Sequence, residues 1–204
     1  MKLYYAPGAC SYAPHIAANE LGLAVEPIKV DLRTHKLADG TDYYTINPLG
    51  YVPMLVTDDG PTLTEVAVIL QYLADRKPGT LAPAFGSMER YKLMERLNFI
   101  ATEIHKGYGL LWYPDTPQAT RDTLIAKLDK RYAYINEVLG TSPFFFGNSF
   151  GIADAYLYTV TNWAKMLKVD LSRHAAVMAY QAKIAQRPSV IAARAAESSA
   201  KVAA

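Results

Sequence analysis

The side chains best suited to chemistry gather around one cysteine. It sits in the run Tyr4-Tyr5-Ala6-Pro7-Gly8-Ala9-Cys10-Ser11-Tyr12-Ala13-Pro14-His15 and is the only cysteine among 204 residues. Leu3-Tyr4-Tyr5 is a short β-prone stretch that Pro7-Gly8 breaks. Ser11 and Pro14 then open an apolar, helix-periodic segment that stops at Gly22. Serine can cap a helix, and proline is tolerated in a first turn whose N–H groups lack intrahelical partners. Cys10 therefore falls at a strand-to-helix junction, where free N–H groups and the helix dipole stabilise an anion. A thiol placed there is expected to ionise below its free value of about 8.5. The alternative is a small, inert, buried hydrophobe.

Three further places carry polar or strained residues. Thr64-Glu65 opens a helix from Val66 to Arg76, with apolar Val66, Ile69, Leu70 and Leu73 on one face. An acid in a first turn commonly answers the helix dipole; the same N–H groups could hold a ligand carboxylate while Glu65 takes an ammonium. Asn98, Thr102 and His105 lie at i, i+4 and i+7, a polar stripe on one helix face. Such a stripe makes either internal hydrogen bonds or ligand contacts. Gly107 and Gly109 follow it, and glycine inside a helix costs ~1 kcal/mol against alanine, so the pair predicts a kink or a close approach. Finally, Pro53 interrupts the strand-like Tyr51-Val52-Pro53-Met54-Leu55-Val56. It must stand at a strand start or a special turn. A cis Val52-Pro53 bond would turn the Val52 backbone outward to pair with a peptide-like ligand; the ordinary alternative is a trans edge proline.

The elements that must position these groups form two parts. Val25 to Val30 reads as a second strand, with Pro27 implying an edge or irregular position. A polar stretch runs from Asp31 to Tyr43, and Asn47-Pro48 with Gly50 makes a turn. Asp58-Asp59-Gly60 is a hairpin signal, with Pro61-Thr62-Leu63 returning. The first part thus reads β-α-β, β-hairpin, α: a small mixed sheet flanked by helices. Leu81 to Gly86 has linker character, which divides the chain into residues 1–80 and 87–204. The second part is helical throughout: Ser87 to about Trp112, Ala119 to Leu139, Gly151 to about Leu167, His174 to Gln186, and Ser189 to about Lys201. Phe144-Phe145-Phe146 is an apolar plug, and Asp154 falls at the third position of its helix, where it can take orphan N–H groups.

Composition narrows the function. Apolar residues make up 51%, enough for a real core, and the net charge is only +2. Near balance argues against nucleic-acid or membrane-surface partners. No apolar run reaches the ~18 residues of a membrane span. A lone cysteine makes no intrachain disulfide, which fits a reducing, cytoplasmic setting. The four histidines, His15, His35, His105 and His174, are scattered and show no metal-binding spacing.

The chain resembles a glutathione S-transferase, most closely the bacterial beta class. The matching runs are Lys2 to Tyr5, Pro7-Gly8-Ala9-Cys10-Ser11, Asn47-Pro48, Gly50-Tyr51-Val52-Pro53, Leu63-Thr64-Glu65, Gln71 to Asp75 and Arg90-Tyr91. They continue with Leu97 to Gly107, Ile152 to Leu157 and Arg187-Pro188. Each is weak alone; together, in family order, they are specific. The resemblance implies a thioredoxin-like N-terminal domain joined to an all-helical domain, an α/β plus all-α architecture. It implies a homodimer whose two sites are each completed by the partner chain, and a cis bond at Pro53. Glutathione, as co-substrate and without a metal, would pair with Val52 and set its γ-glutamyl end on Glu65 and the N–H of Val66. Its sulfur would lie by Cys10 with His105 near, the catalytic pair. Asn98 and the turn Thr102, Glu103, Ile104, His105 would close over the tripeptide. In related classes a Tyr or Ser near the first strand activates the thiol, and Tyr5 and Ser11 are the candidates for that role.

Three positions depart from the family pattern. His35 replaces a lysine that meets the glycyl carboxylate, with Lys36 adjacent. Val66 replaces a small residue and brings a β-branch toward the γ-glutamate. Gly151 replaces the Ser or Thr that caps the Asp154 helix; glycine is an acceptable cap. The implied activity is conjugation of the glutathione thiolate to a small apolar electrophile, with Leu110, Trp112, Tyr113 and Trp163 as pocket walls. Two alternatives stand beside it: glutathione-dependent disulfide exchange or peroxide reduction through Cys10, and a non-enzymatic binding or docking protein.

Overall fold

A computed structural model describes residues 1–199. Five strands form one mixed sheet in the order β3-β2-β1-β4-β5. Strand β1 (Lys2–Tyr5) alternates, burying Leu3 and Tyr5, the period of a pleated strand. It pairs parallel to β2 (Glu26–Asp31) and antiparallel to β4 (Met54–Val56), so it is central. Strand β5 (Thr62–Leu63) returns from the Asp58-Asp59-Gly60 turn onto β4. Strand β3 (Lys36–Leu37) pairs with β2 at Val30 and Asp31. The Pro27 stretch of β2 therefore has β1 on one side and no β3 on the other, which is the edge-like position a proline needs. Two residues of β3 inside a polar stretch carry too little pattern to read, and the sequence reading missed them.

Helix α1 (Tyr12–Leu21) and helix α2 (Val66–Asp75) cover one face of the sheet. Gly22 ends α1 with φ 59, a left-handed cap that glycine adopts at no steric cost. Thereafter come α3 (Met88–Phe99), α4 (Gln118–Thr141), α5 (Ile152–Thr161), α6 (Trp163–Met166), α7 (Ala175–Ala185) and α8 (Pro188–Ser199). The expected helix ending near Lys201 thus runs partly outside the described residues. Likewise the expected Gly151–Leu167 helix is two helices broken at Asn162.

The expected single helix from Ser87 to Trp112 is also corrected. After α3 the backbone widens into a π-helical stretch, Ile100–His105, then tightens into a 3-10 stretch, Lys106–Trp112. π-Turns inside helices recur at functional sites. Gly107 shows one cause: a Cβ there would come within 2.8 Å of Leu128 Cδ2 on α4. The expected close approach is real at Gly107, whereas Gly109 has open space around it.

One buried cluster runs without interruption from Leu3 and Leu55 of the sheet, through α1 and α2, to Phe145, Ile152 and Tyr156 of the helical part. The smaller Ala6, Val30, Tyr43 and Val52 cluster fills the other face of the sheet. Polar staples cross between the parts. Arg90 on α3 is sealed from solvent and pairs both nitrogens with Asp75, each at 2.9 Å, while also donating to the Pro83 carbonyl. Asp154 accepts from the N–H groups of Phe145 and Gly151 and from the Tyr180 hydroxyl, at 2.8 to 2.9 Å. Gly151 has no side chain to return the bond, so Asp154 supplies the capping alone. Its departure from the family pattern has a steric reason: a Cβ at Gly151 would lie 2.9 Å from the Leu81 carbonyl, which accepts the Ile152 N–H. Among the described residues no helix is long and apolar enough to cross a membrane.

Candidate functional site

The turn from β1 into α1 holds Cys10. Ala9 N–H bonds back to Ala6, and Tyr12 and Ala13 N–H groups bond to Ala9 and Cys10. Ser11 does not cap the helix with its side chain. Its hydroxyl turns inward and bonds the Ala6 backbone at both N–H and carbonyl. Ser11 is therefore a fastener for the turn. It is fully enclosed, as is Tyr5, whose ring packs on His15. Both candidates for the alternative activator role are thus buried.

Across the turn stands a cis peptide bond at Val52-Pro53, ahead of β4. The Cys10 thiol donates to the Val52 carbonyl at 3.2 Å. Burial pushes that thiol up to about 12; the N–H groups of Cys10 and Ser11 pull it down, and the Glu65 carboxylate pushes it further up. This overturns the expectation of an acidified Cys10. The helix-terminus N–H groups do favour the anion, but loss of water outweighs them.

Glu65 itself is exposed and has φ 64, a conformation rare for a residue with a side chain. It precedes α2 yet makes no side-chain cap. An unfavourable backbone held without local return is a mark of functional sites. Val66 next to it is buried in the core, so its β-branch points away from the exposed end where a γ-glutamate would sit. Its N–H belongs to the first turn, which has no intrahelical acceptor to offer it.

His105 forms the opposite wall. Its Nδ1 lies 2.7 Å from the Tyr156 hydroxyl, and its ring meets Trp163 edge-on with centroids 4.9 Å apart. Burial, then the neighbouring Lys106 charge, pushes His105 down to about 4. Tyr156 is raised by burial first and then by the Cys10 and Glu65 charges, and its hydroxyl meets His105. The sequence reading did not assign Tyr156. The signal was present: α5 is buried on every side, and a tyrosine in such a helix must find a partner for its hydroxyl. Trp163, expected as a pocket wall, also donates Nε1–H to the Gly8 carbonyl at 2.9 Å. Leu110, Trp112 and Tyr113 remain exposed beyond it.

The remaining expected residues lie apart within one chain. Asn98 and Thr102 are exposed, and the Thr102 hydroxyl bonds its own helix at the Asn98 carbonyl. Glu103 is drawn to Arg131 at 2.6 Å and Lys127 at 3.5 Å. Ile104 is sealed in the core. Lys36 is exposed on β3. His35 has φ 51 and packs on Tyr44 with centroids 4.5 Å apart. Its Nδ1 is buried without a hydrogen-bond partner among the described residues. Gly50 closes over both rings: a Cβ there would fall 2.6 Å from Tyr44.

The Cys10 turn, the cis-proline bond across from it and the helical second part can be set beside known proteins. Residues 8–76 match the family described as glutathione S-transferase, N-terminal domain, and residues 99–188 match its C-terminal domain. The chain belongs to the glutathione S-transferase family. It is 46% identical to glutathione S-transferase GstA of Escherichia coli O157:H7, over 93% of this chain and 95% of that one. A sphingomonad glutathione S-transferase solved in complex with glutathione superposes with TM-score 0.94 at 43% identity, over 98% of this chain and all of the other. The bacterial beta-class enzyme of Sphingomonas chungbukensis superposes with TM-score 0.92 at 42% identity, over 97% of this chain and 98% of the other. The thioredoxin-like sheet and helical domain are thus those of the family, with bacterial beta-class members among its structural neighbours.

Proposed function

We propose that this glutathione S-transferase binds glutathione between Cys10, Val52 and Glu65 and delivers its thiolate to small apolar electrophiles. The carrying observation is the arrangement at the first turn, where the Cys10 thiol already donates to the Val52 carbonyl at 3.2 Å beside the cis bond. With Cys10 pushed up to about 12 and His105 down to about 4, both are uncharged at neutral pH. A protonated thiol is a poor nucleophile, but it is a hydrogen-bond donor. So is neutral His105: when Tyr156 donates to Nδ1, the ring proton sits on Nε2.

These donors favour the anionic form of a bound thiol whose free value is about 8.5. Glutathione's thiol gives its proton to solvent and its sulfur accepts from Cys10, which exchanges the Val52 carbonyl for a charged partner. The thiolate pair then forms a C–S bond to the electrophile, and the leaving group departs with its own pair. Glu65 meets the γ-glutamyl ammonium, the Val66 N–H its carboxylate, and the Val52 backbone the cysteinyl peptide. The glycyl carboxylate falls to His35 or Lys36. The electrophile rests against Leu110, Trp112, Tyr113 and Trp163.

The same reading extends to a cytoplasmic homodimer. Val68, Met88 and Tyr91 expose apolar surface on α2 and α3, which a second copy would cover. Asn98 and the Thr102–His105 turn, which bond elsewhere within one chain, would then complete a site with the partner. Disulfide exchange or peroxide reduction through Cys10 ranks second, because burial holds the proton it must lose. The test is conjugation of chlorodinitrobenzene beside reduction of hydroxyethyl disulfide, in the wild type and in Cys10→Ala. Conjugation should fall by about tenfold, one hydrogen bond to a charged acceptor, while disulfide reduction disappears. Loss of both activities would make Cys10 central to conjugation as well. Failure to bind immobilised glutathione would leave only a binding or docking role.

A further inference from the structure

We propose that Tyr156 is a positioning residue: its hydroxyl fixes His105 as the Nε2–H tautomer, so that His105 donates to the glutathione sulfur and cannot take its proton. The identity of the acceptor rests on the glutathione reading above, whereas the tautomer is a property of the resting protein.

A count of protons against acceptors decides the tautomer. His105 is pushed down to about 4 by burial and by Lys106, so at neutral pH its ring carries one proton for two nitrogens. Tyr156 is almost fully enclosed. Its phenol is raised by burial first and then by the Cys10 and Glu65 charges, so it keeps its proton too. That proton needs an acceptor. The hydroxyl lies 2.7 Å from His105 Nδ1 and has no other hydrogen-bond partner among the described residues. Were Nδ1 protonated, the phenol proton would be buried without an acceptor, at the full cost of its desolvation. With Nδ1 bare, one short bond satisfies both groups, and the ring proton sits on Nε2.

The imidazole is also held in place. It meets the Tyr156 ring edge-on with centroids 5.8 Å apart and the Trp163 ring edge-on at 4.9 Å. Nε2 makes no hydrogen bond among the described residues. The side-chain nitrogen and oxygen atoms there that are both buried and unpartnered are His35 Nδ1 and Gln181 Oε1, so Nε2 is not sealed in. The charged or titratable groups near the pair are Lys106, Cys10 and Glu65, and none of them bonds the phenol. An N–H aimed at the site stabilises a thiolate, but it offers no lone pair with which to deprotonate a thiol.

Nitrogen NMR of the resting protein carrying isotope-labelled histidine reads the tautomer directly. Wild-type His105 should show a protonated Nε2 and a bare Nδ1, and Tyr156→Phe, which removes only the hydroxyl, should leave a mixture of tautomers. With chlorodinitrobenzene, Tyr156→Phe should lower kcat about tenfold, one donor to a charged sulfur, with KM for glutathione within about twofold of wild type. The acid limb of its pH profile should move upward, toward the free-thiol value. In a His105→Ala background the same substitution should cost nothing further, because Tyr156 acts through His105. A merely structural tyrosine would lower stability and leave the tautomer and the acid limb unmoved. A bare Nε2 in the wild type, an unmoved acid limb in Tyr156→Phe, or equal losses in both backgrounds would each overturn the proposal. Failure of the wild type to bind glutathione would overturn the acceptor alone, since the NMR tautomer does not depend on it.

Discussion

Two polar regions are anchored within a few residues of one another on α5, and they behave oppositely. Around Asp154, each carboxylate oxygen has a donor: Phe145 and Gly151 N–H groups and the Tyr180 hydroxyl. In the second, the Tyr156 hydroxyl meets His105, the Cys10 thiol is bonded only weakly to a carbonyl, and Glu65 caps nothing. The first region is closed on itself and fastens helix to loop. The second keeps polar capacity that the protein itself does not use. Full satisfaction marks structure, and unused capacity marks the place where a ligand is expected.

That contrast is broken most forcefully at the closed end. Asp154→Ala strands three buried donors and should cost about 3–5 kcal/mol, read as a shift in urea midpoint. Glutathione affinity of the folded fraction should stay near wild type; a variant of unchanged stability would mean that the Asp154 bonds do not hold the helix. A smaller effect belongs to His105. Its folded value, near 4, lies below the ordinary 6.5, so the unfolded chain binds the extra proton between those limits. Stability therefore falls as pH drops from 6.5 toward 4, by about 2–3 kcal/mol allowing for partial exposure. His105→Gln should lack that part of the slope in denaturation curves run at several pH values, and an identical slope would show that His105 titrates normally.

At the open end, stability should hardly move. Glu65→Gln keeps shape and loses charge, so glutathione affinity should fall about tenfold or more while the melting temperature holds. A drop in melting temperature with unchanged affinity would place Glu65 in the closed class. The smallest expected change is at Gly151→Ala, where the new Cβ must displace the Leu81 carbonyl. It should cost about 1–2 kcal/mol, checked by the same urea midpoint, and activity per folded molecule should persist.

Much of this was legible beforehand. The β-α-β, hairpin and α order follows from local pattern, and Pro27, Gly22 and Asp154 declare their positions through backbone chemistry alone. The motifs around Cys10, Pro53 and Glu65 singled out the first turn, the cis bond and the start of α2 with its positive φ. What failed was whatever depends on depth. Cys10 stands at a helix start, as expected, but sequence spacing carries no measure of burial, and burial reversed the direction of its shift. Asn98, Thr102 and His105 share a face only if the helix stays regular; the π-helical stretch at Ile100–His105 removes that premise. Tyr156 was hidden because its hydrogen-bond partner, His105, lies 51 residues away. Gly151 looked like a weak cap, and only the Leu81 carbonyl explains it.

The charge state of Cys10 tests the account most directly. Ultraviolet thiolate absorbance of the resting protein, followed against pH with Cys10→Ala as the blank, reads it without any substrate. The account predicts no thiolate at neutral pH and a rise only toward the alkaline limit, near 12. An inflection at or below the free-cysteine value of about 8.5 would contradict it, and would return Cys10 to the role of nucleophile.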